Sequence, residues 1–190
     1  MILKESNIPK SSLTLFGLDK NFDLLITLHE SKRFPKVLMF TGEKGLGKFT
    51  LTSHFLHYIF DKENYDIKNK IIEEKSEFHS QYLNNIHPSI IYLSGQIFNN
   101  IKIDNIRELK KIILKKNIIA KDRFIILDDI ELFNTNSLNA LLKIIEEPSS
   151  NNYFVLINNK TKPLIETIYS RSLEIKVLLK NETRIKVIES

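Results

Sequence analysis

The run Val37-Leu38-Met39-Phe40-Thr41 leads directly into Gly42-Glu43-Lys44-Gly45-Leu46-Gly47-Lys48-Phe49. A helical pattern follows at once, with Leu51, Phe55, Leu56 and Ile59 on one side. An apolar run, a glycine-rich turn and then a 3.6-residue period define a strand–loop–helix unit. In that setting G-x-x-x-x-G-K is the pattern of a phosphate-binding loop. Glycine lets backbone N–H groups approach an anion with no Cβ in the way, and the start of the next helix adds its positive end. The chain holds five glycines, and three of them stand in these eight residues, so the match does not come from a glycine-rich composition. On this pattern Gly42, Glu43, Lys44, Gly45, Leu46 and Gly47 form the cradle, and Lys48 reaches the β- and γ-phosphates of a nucleotide. The pattern breaks at the next position. A hydroxyl belongs there to hold Mg²⁺, and the residue is Phe49. Thr50 carries a hydroxyl one position on, about 100° further round the helix.

Four more strands are expected, at 90–93, 124–127, 153–157 and 173–177. Several are continuous apolar runs, as in strands covered on both faces. Helical spacing covers 18–30, 48–60, a stretch that Asp104 opens as N-cap, 136–147 up to Pro148, and 161–169. The polar, lysine-rich segment 61–85 reads as a helical excursion. Strands alternating with helices predict an α/β fold, a five-stranded parallel sheet flanked by helices, as one domain over 1–180 with a tail at 181–190.

A hydrophobic content of 42% beside 27% charged residues is globular chemistry and argues against disorder. There is no apolar run of about 18 residues and no secretory pattern at the start, so a cytoplasmic protein without a membrane span is expected. With no cysteine, disulfides, thiolate zinc sites and thiol nucleophiles are excluded. The net charge of +5 leaves two readings open, a basic surface for nucleic acid or a lysine-rich compositional bias.

Asp128 and Asp129 end an apolar strand, where an NTPase places the carboxylate that binds Mg²⁺ and the one that positions the attacking water. Asp129 is one methylene shorter than the Glu usual for the second role. Asn158 ends the fourth strand, where a neutral amide either meets a γ-phosphate or simply makes a turn. Arg171, just before the last strand, suits bidentate phosphate contact, and equally a surface ion pair. Lys110, Lys111, Lys115 and Lys116 share one helix and form either a phosphate-backbone contact or a solvated face. His54 and His57 lie three apart with no acidic third ligand, so no metal site is expected there.

In order along the chain come the glycine loop, His87-Pro88 before a strand, Asp128-Asp129, Asn139-Ala140-Leu141-Leu142-Lys143-Ile144-Ile145-Glu146-Glu147-Pro148, and Ser170-Arg171-Ser172. This set resembles the AAA+ domain of bacterial clamp loaders, the delta-prime and gamma/tau group of DNA polymerase III subunits. Ile103-Asp104-Asn105-Ile106-Arg107-Glu108-Leu109 resembles a helix start of the delta-prime branch. The resemblance implies that Lys48 is the phosphate-loop lysine, Asp128 the Mg²⁺ acid and Asn158 the sensor after the fourth strand. It implies that Arg171 is given in trans to the ATP of a neighbouring subunit. It also implies partners: gamma/tau and delta subunits, the sliding clamp and, indirectly, primer–template DNA.

The chain departs from that family at Phe49 and at Asp129. It also lacks the cysteine cluster that binds zinc in many relatives, so no zinc is expected. Relatives continue into a lid and a collar where this chain ends, so 181–190 reads as the start of a truncated lid. The expected function is a delta-prime-like clamp-loader subunit with weak ATP/Mg²⁺ binding and little turnover of its own. An active gamma/tau-like ATPase and an interaction module with an empty site are the alternatives.

Overall fold

The computed structural model of the chain describes residues 8–96, 103–114 and 122–178. Helix α1 (Asp19–Glu30) precedes strand β1 (Val37–Thr41), and α2 (Lys48–Phe60) leaves the glycine loop. An excursion follows, with two short strands, β2 (Tyr65–Asp66) and β3 (Ile71–Ile72), and helix α3 (Glu77–Leu83). The rest alternates: β4 (Ile90–Ser94), α4 (Ile103–Leu114), β5 (Arg123–Asp128), α5 (Thr135–Ile145), β6 (Asn152–Asn158), α6 (Glu166–Tyr169) and β7 (Leu173–Lys176). The main sheet runs β4-β5-β6-β1-β7, and every pairing in it is parallel.

The apolar strands are continuous because each feeds two cores. Leu38, Phe40, Phe124, Ile126 and Val155 point toward α1, α2 and the excursion. Their neighbours Met39, Ile125, Leu127, Phe154 and Leu156 point toward α4, α5 and α6. Period-two alternation on a doubly covered sheet leaves no face for polar residues. The exception is β7, an edge strand whose Leu173 is 48% exposed.

Four local expectations change. Segment 61–85 is not one helical excursion. Tyr65 and Ile72 turn inward while Asp66 takes the N–H groups of Lys68 and Asn69, both at 3.0 Å, which folds 65–72 into a tight antiparallel pair. Residues 161–165 are not helical. Pro163 has no N–H to give, and Thr161 is bound by its hydroxyl to Glu131 at 2.9 Å, so α6 starts only at Glu166. Asp104 lies inside the first turn of α4 and does not cap it. Helix α5 is capped by Asn134, whose side chain accepts the Ser137 N–H at 2.9 Å, and it stops at Ile145 ahead of Pro148.

Candidate functional site

The site lies at the C-terminal edge of the parallel sheet, where loops leave β1, β4, β5 and β6. That edge is where ligands settle in open α/β folds. Gly42 opens the loop. A Cβ there would stand 2.6 Å from the carbonyl oxygen of Val177, so only glycine lets the loop pass the end of β7. Gly47 is the N-cap of α2 with φ 76°, a left-handed conformation that disfavours a side chain. No side chain caps α2, so its first N–H groups face the cavity. A Cβ added at Gly45 would meet nothing within 4 Å, so the cradle is open above it.

A cavity of about 310 Å³ lies over the loop. Lys44, Gly45, Gly47, Lys48, Phe49 and Thr50 line it from below, and Asp128 and Asp129 from the side. Gly42 and Glu43 contribute their carbonyls to Lys48, and Leu46 turns into the core. The Lys48 ammonium is buried and donates to Gly42 O at 2.8 Å and Glu43 O at 2.6 Å. Burial brings its pKa down to about 8, against the pull of Asp128, Glu131 and Asp129.

The acidic side of the site is closed. Asp128 accepts the Asp129 N–H at 2.9 Å on Oδ1 and the Tyr92 hydroxyl at 3.1 Å on Oδ2. Burial first, then the charge of Asp129, pushes the Asp128 carboxyl up to about 6. The Phe49 ring sits edge-on to Tyr92, centroids 5.6 Å apart, at the position where a metal-binding hydroxyl would stand. Asp129 has φ 50°, and its carboxylate accepts the Asn159 side-chain amide at 2.7 Å. These residues fit the phosphates of a nucleotide, through the open glycine cradle and the uncapped helix start. They fit a Mg²⁺ ion less well. An apolar ring replaces the hydroxyl ligand, and each oxygen of the acid already accepts one hydrogen bond within the chain.

Asn158 is buried and does not reach the cavity. Its amide donates to the Tyr169 hydroxyl at 2.8 Å, and its oxygen takes the Lys160 N–H at 2.8 Å. Asn159 lines the cavity instead, as do Lys10 and Gln96. The buried Glu131 holds this wall together by accepting the Asn159 N–H, at 3.1 and 3.2 Å. Sequence reasoning passed over Tyr92, Glu131 and Asn159. The side-by-side pair Asn158-Asn159 was the one signal for the last, since adjacent residues at a strand end point opposite ways.

Arg171 lies outside the cavity. Its Nη2 is 2.7 Å from Glu146 Oε1, so the surface ion pair is present. On the far face, Lys110 joins Arg107 and Lys143 around a groove of about 350 Å³ between α4 and α5, and Lys111 is exposed. Lys115, Lys116 and the tail 181–190 lie outside the described residues.

His54 and His57 are buried hydrogen-bonding groups. His54 Nε2 donates to Ser12 O at 3.1 Å, so its Nδ1 accepts the Tyr65 hydroxyl at 3.0 Å. His57 Nδ1 donates to Ser53 O at 2.8 Å, so its Nε2 accepts from His79 Nδ1 at 2.9 Å. Burial lowers the pKa of each to about 4. Among the described residues no group of three His, Cys, Asp or Glu could hold a metal ion, and no helix is long and apolar enough to cross a membrane.

The family model described as "DNA polymerase III, delta subunit" matches residues 17–181. DNA polymerase III subunit delta' of Buchnera aphidicola subsp. Schizaphis graminum is 30% identical over 159 residues, covering 81% of this chain and 46% of that one. The tau/gamma subunit of Haemophilus influenzae is 23% identical over 183 residues, 93% of this chain and 25% of that one. Among solved structures, a gamma subunit-related protein of Thermotoga maritima superposes with a TM-score of 0.61 at 21% identity, over 87% of this chain and 49% of that chain. The RuvB Holliday junction branch migration motor of the same organism gives 0.56 at 16%, over 94% and 52%. Identities this low speak for the fold, an α/β P-loop domain of the AAA+ type. The chain spans about half the length of the delta' relatives it matches.

Proposed function

The chain belongs to the family described as DNA polymerase III, delta subunit, and from that premise we propose that it acts as a delta-prime-like clamp-loader subunit in the cytoplasm. It assembles with gamma/tau and delta subunits, and the assembly loads the sliding clamp on primer–template DNA. Its own site holds nucleotide weakly through the glycine cradle and Lys48, and contributes little turnover. Its chemical contribution is Arg171, offered to the ATP of a neighbouring subunit.

One observation carries the reading. The wall that should hold Mg²⁺ is filled by Phe49, and both oxygens of Asp128 are occupied within the chain. Metal ions supply much of the charge stabilisation in phosphoryl transfer, so a site that has lost one of its metal ligands turns over slowly. Arg171 lies outside its own cavity, on the surface, where it is paired with Glu146. The basic groove formed by Arg107, Lys110 and Lys143 fits a phosphate backbone passing the assembly.

The test is a loader reconstituted with Arg171→Ala. ATP turnover at the adjacent site should fall by roughly a thousandfold, the scale of a lost arginine finger, with assembly intact. Unchanged turnover in an assembled complex overturns the reading. The intact loop and Lys48 favour one alternative, an ATPase active on its own. Mg²⁺-dependent turnover by the purified chain, abolished in Lys48→Ala, would establish that instead.

A further inference from the structure

A guanidinium that is to clasp a phosphate needs two parallel N–H donors free on one edge. Arg171 does not have them free. Of the five N–H donors of an arginine, Nε donates to Glu146 Oε1 at 2.9 Å, and Nη2 approaches the same oxygen at 2.7 Å. Nη1 donates to Thr167 O at 3.1 Å and to Ser170 Oγ at 3.3 Å. Four of the five are engaged within the chain, leaving a single Nη2 hydrogen. Glu146 occupies the Nε–Nη2 edge as a phosphate would, with one anionic oxygen shared by both nitrogens.

We propose that Glu146 is an intrachain competitor for the triphosphate that Arg171 engages, holding the arginine until a neighbour's anion displaces it. The proposal rests on the trans role given to Arg171 above. Glu146 sits at the C-terminal cap of α5, and Arg171 at the end of α6. The contact therefore ties the ends of two helices that pack on one face of the sheet. The two side chains are 46% and 35% exposed. An ion pair that wet is weak and salt-sensitive, so it delays the arginine without disabling it. A triphosphate with its greater charge wins the exchange.

The experiment compares four reconstituted loaders: unaltered, Glu146→Gln, Arg171→Ala and the double variant. Glu146→Gln should raise the ATPase at limiting subunit concentration by up to about fivefold, the range of an exposed ion pair. The gain should shrink as salt rises and vanish in the Arg171→Ala background. An unchanged or lowered ATPase in Glu146→Gln, with Arg171→Ala still damaging, overturns the proposal and leaves the trans role standing. If Arg171→Ala itself changes nothing, the trans role falls and the proposal falls with it. A second readout needs no assembly. In the lone chain, nitrogen NMR of the Arg171 Nε–H should shift between the unaltered protein and Glu146→Ala. An identical signal in both means that the contact does not form in solution, and overturns the proposal.

Discussion

The two halves of α2 bury ionisable side chains in opposite ways. At its first residue, Lys48 keeps a depressed but charged ammonium beside a cavity, and its partners are two loop carbonyls. Further along, His54 and His57 are forced neutral among rings, with tautomers set by Ser12, Ser53, Tyr65 and His79. Phe78 packs against His57 at 4.9 Å, Phe60 at 5.8 Å and His87 at 5.0 Å. At one end the polar groups bond to one another beside an open cavity. At the other they are matched within the fold and hold the excursion to the domain. A site is thus marked by partners that could be exchanged, and a structural cluster by partners that could not.

Acid gives the largest effect that separates the two. The histidines titrate near 4 in the folded chain and near 6.5 when unfolded, so the unfolded chain binds more protons between those values. Their stabilisation is complete above about pH 6.5 and lost as pH falls toward 4. Asp128 has the opposite sign, since its folded value of about 6 lies above the unfolded one, and it offsets part of the loss. The net fall between pH 7 and pH 4 is on the order of 4 kcal/mol, measured by urea midpoints. In Asp128→Asn the fall should be steeper. A flat profile would erase the contrast between the two ends.

Removing a ring comes next. Phe78→Ala should cost about 3 kcal/mol by the same urea measurement, because the excursion loses its central packing surface. A loss below about 1 kcal/mol would mean that the excursion is held elsewhere.

The smallest effect has the reverse sign. Lys48→Met should leave the free protein about 1 kcal/mol more stable at pH 7, since a buried charge is removed, while nucleotide binding is lost. Thermal melts and calorimetric titration read the two outcomes. A destabilised variant would make Lys48 structural, like the histidines.

The same contrast decides what the sequence revealed. Four strands were legible because each is an apolar run bounded by turn residues, as a doubly covered sheet needs, while the edge strand β7 alternates apolar and charged residues. The phosphate loop was legible because its contacts are local, within a few residues of one another. The closed acidic wall was not, because it is made by register. Ser94 stands opposite Asp128 across β4 and β5, which brings Tyr92 into reach of the acid. No spacing along the chain encodes a pairing 36 residues apart. Segment 61–85 misled for another reason. Two-residue strands are too short to show a period, and the turn between them rests on one aspartate.

The first glycine of the loop carries one more consequence. Val177 N–H donates to Thr41 O at 2.8 Å, and Val177 O lies against Gly42 with no room for a methyl group. The phosphate loop is therefore hinged on the backbone that leaves β7, where the next residue, Leu178, is 77% exposed. A pull on the chain at that point acts first on the buried Val177 and, through its carbonyl, on Gly42. The seating of Val177 is in this sense a boundary condition on the loop's shape, fixed before anything enters the cradle.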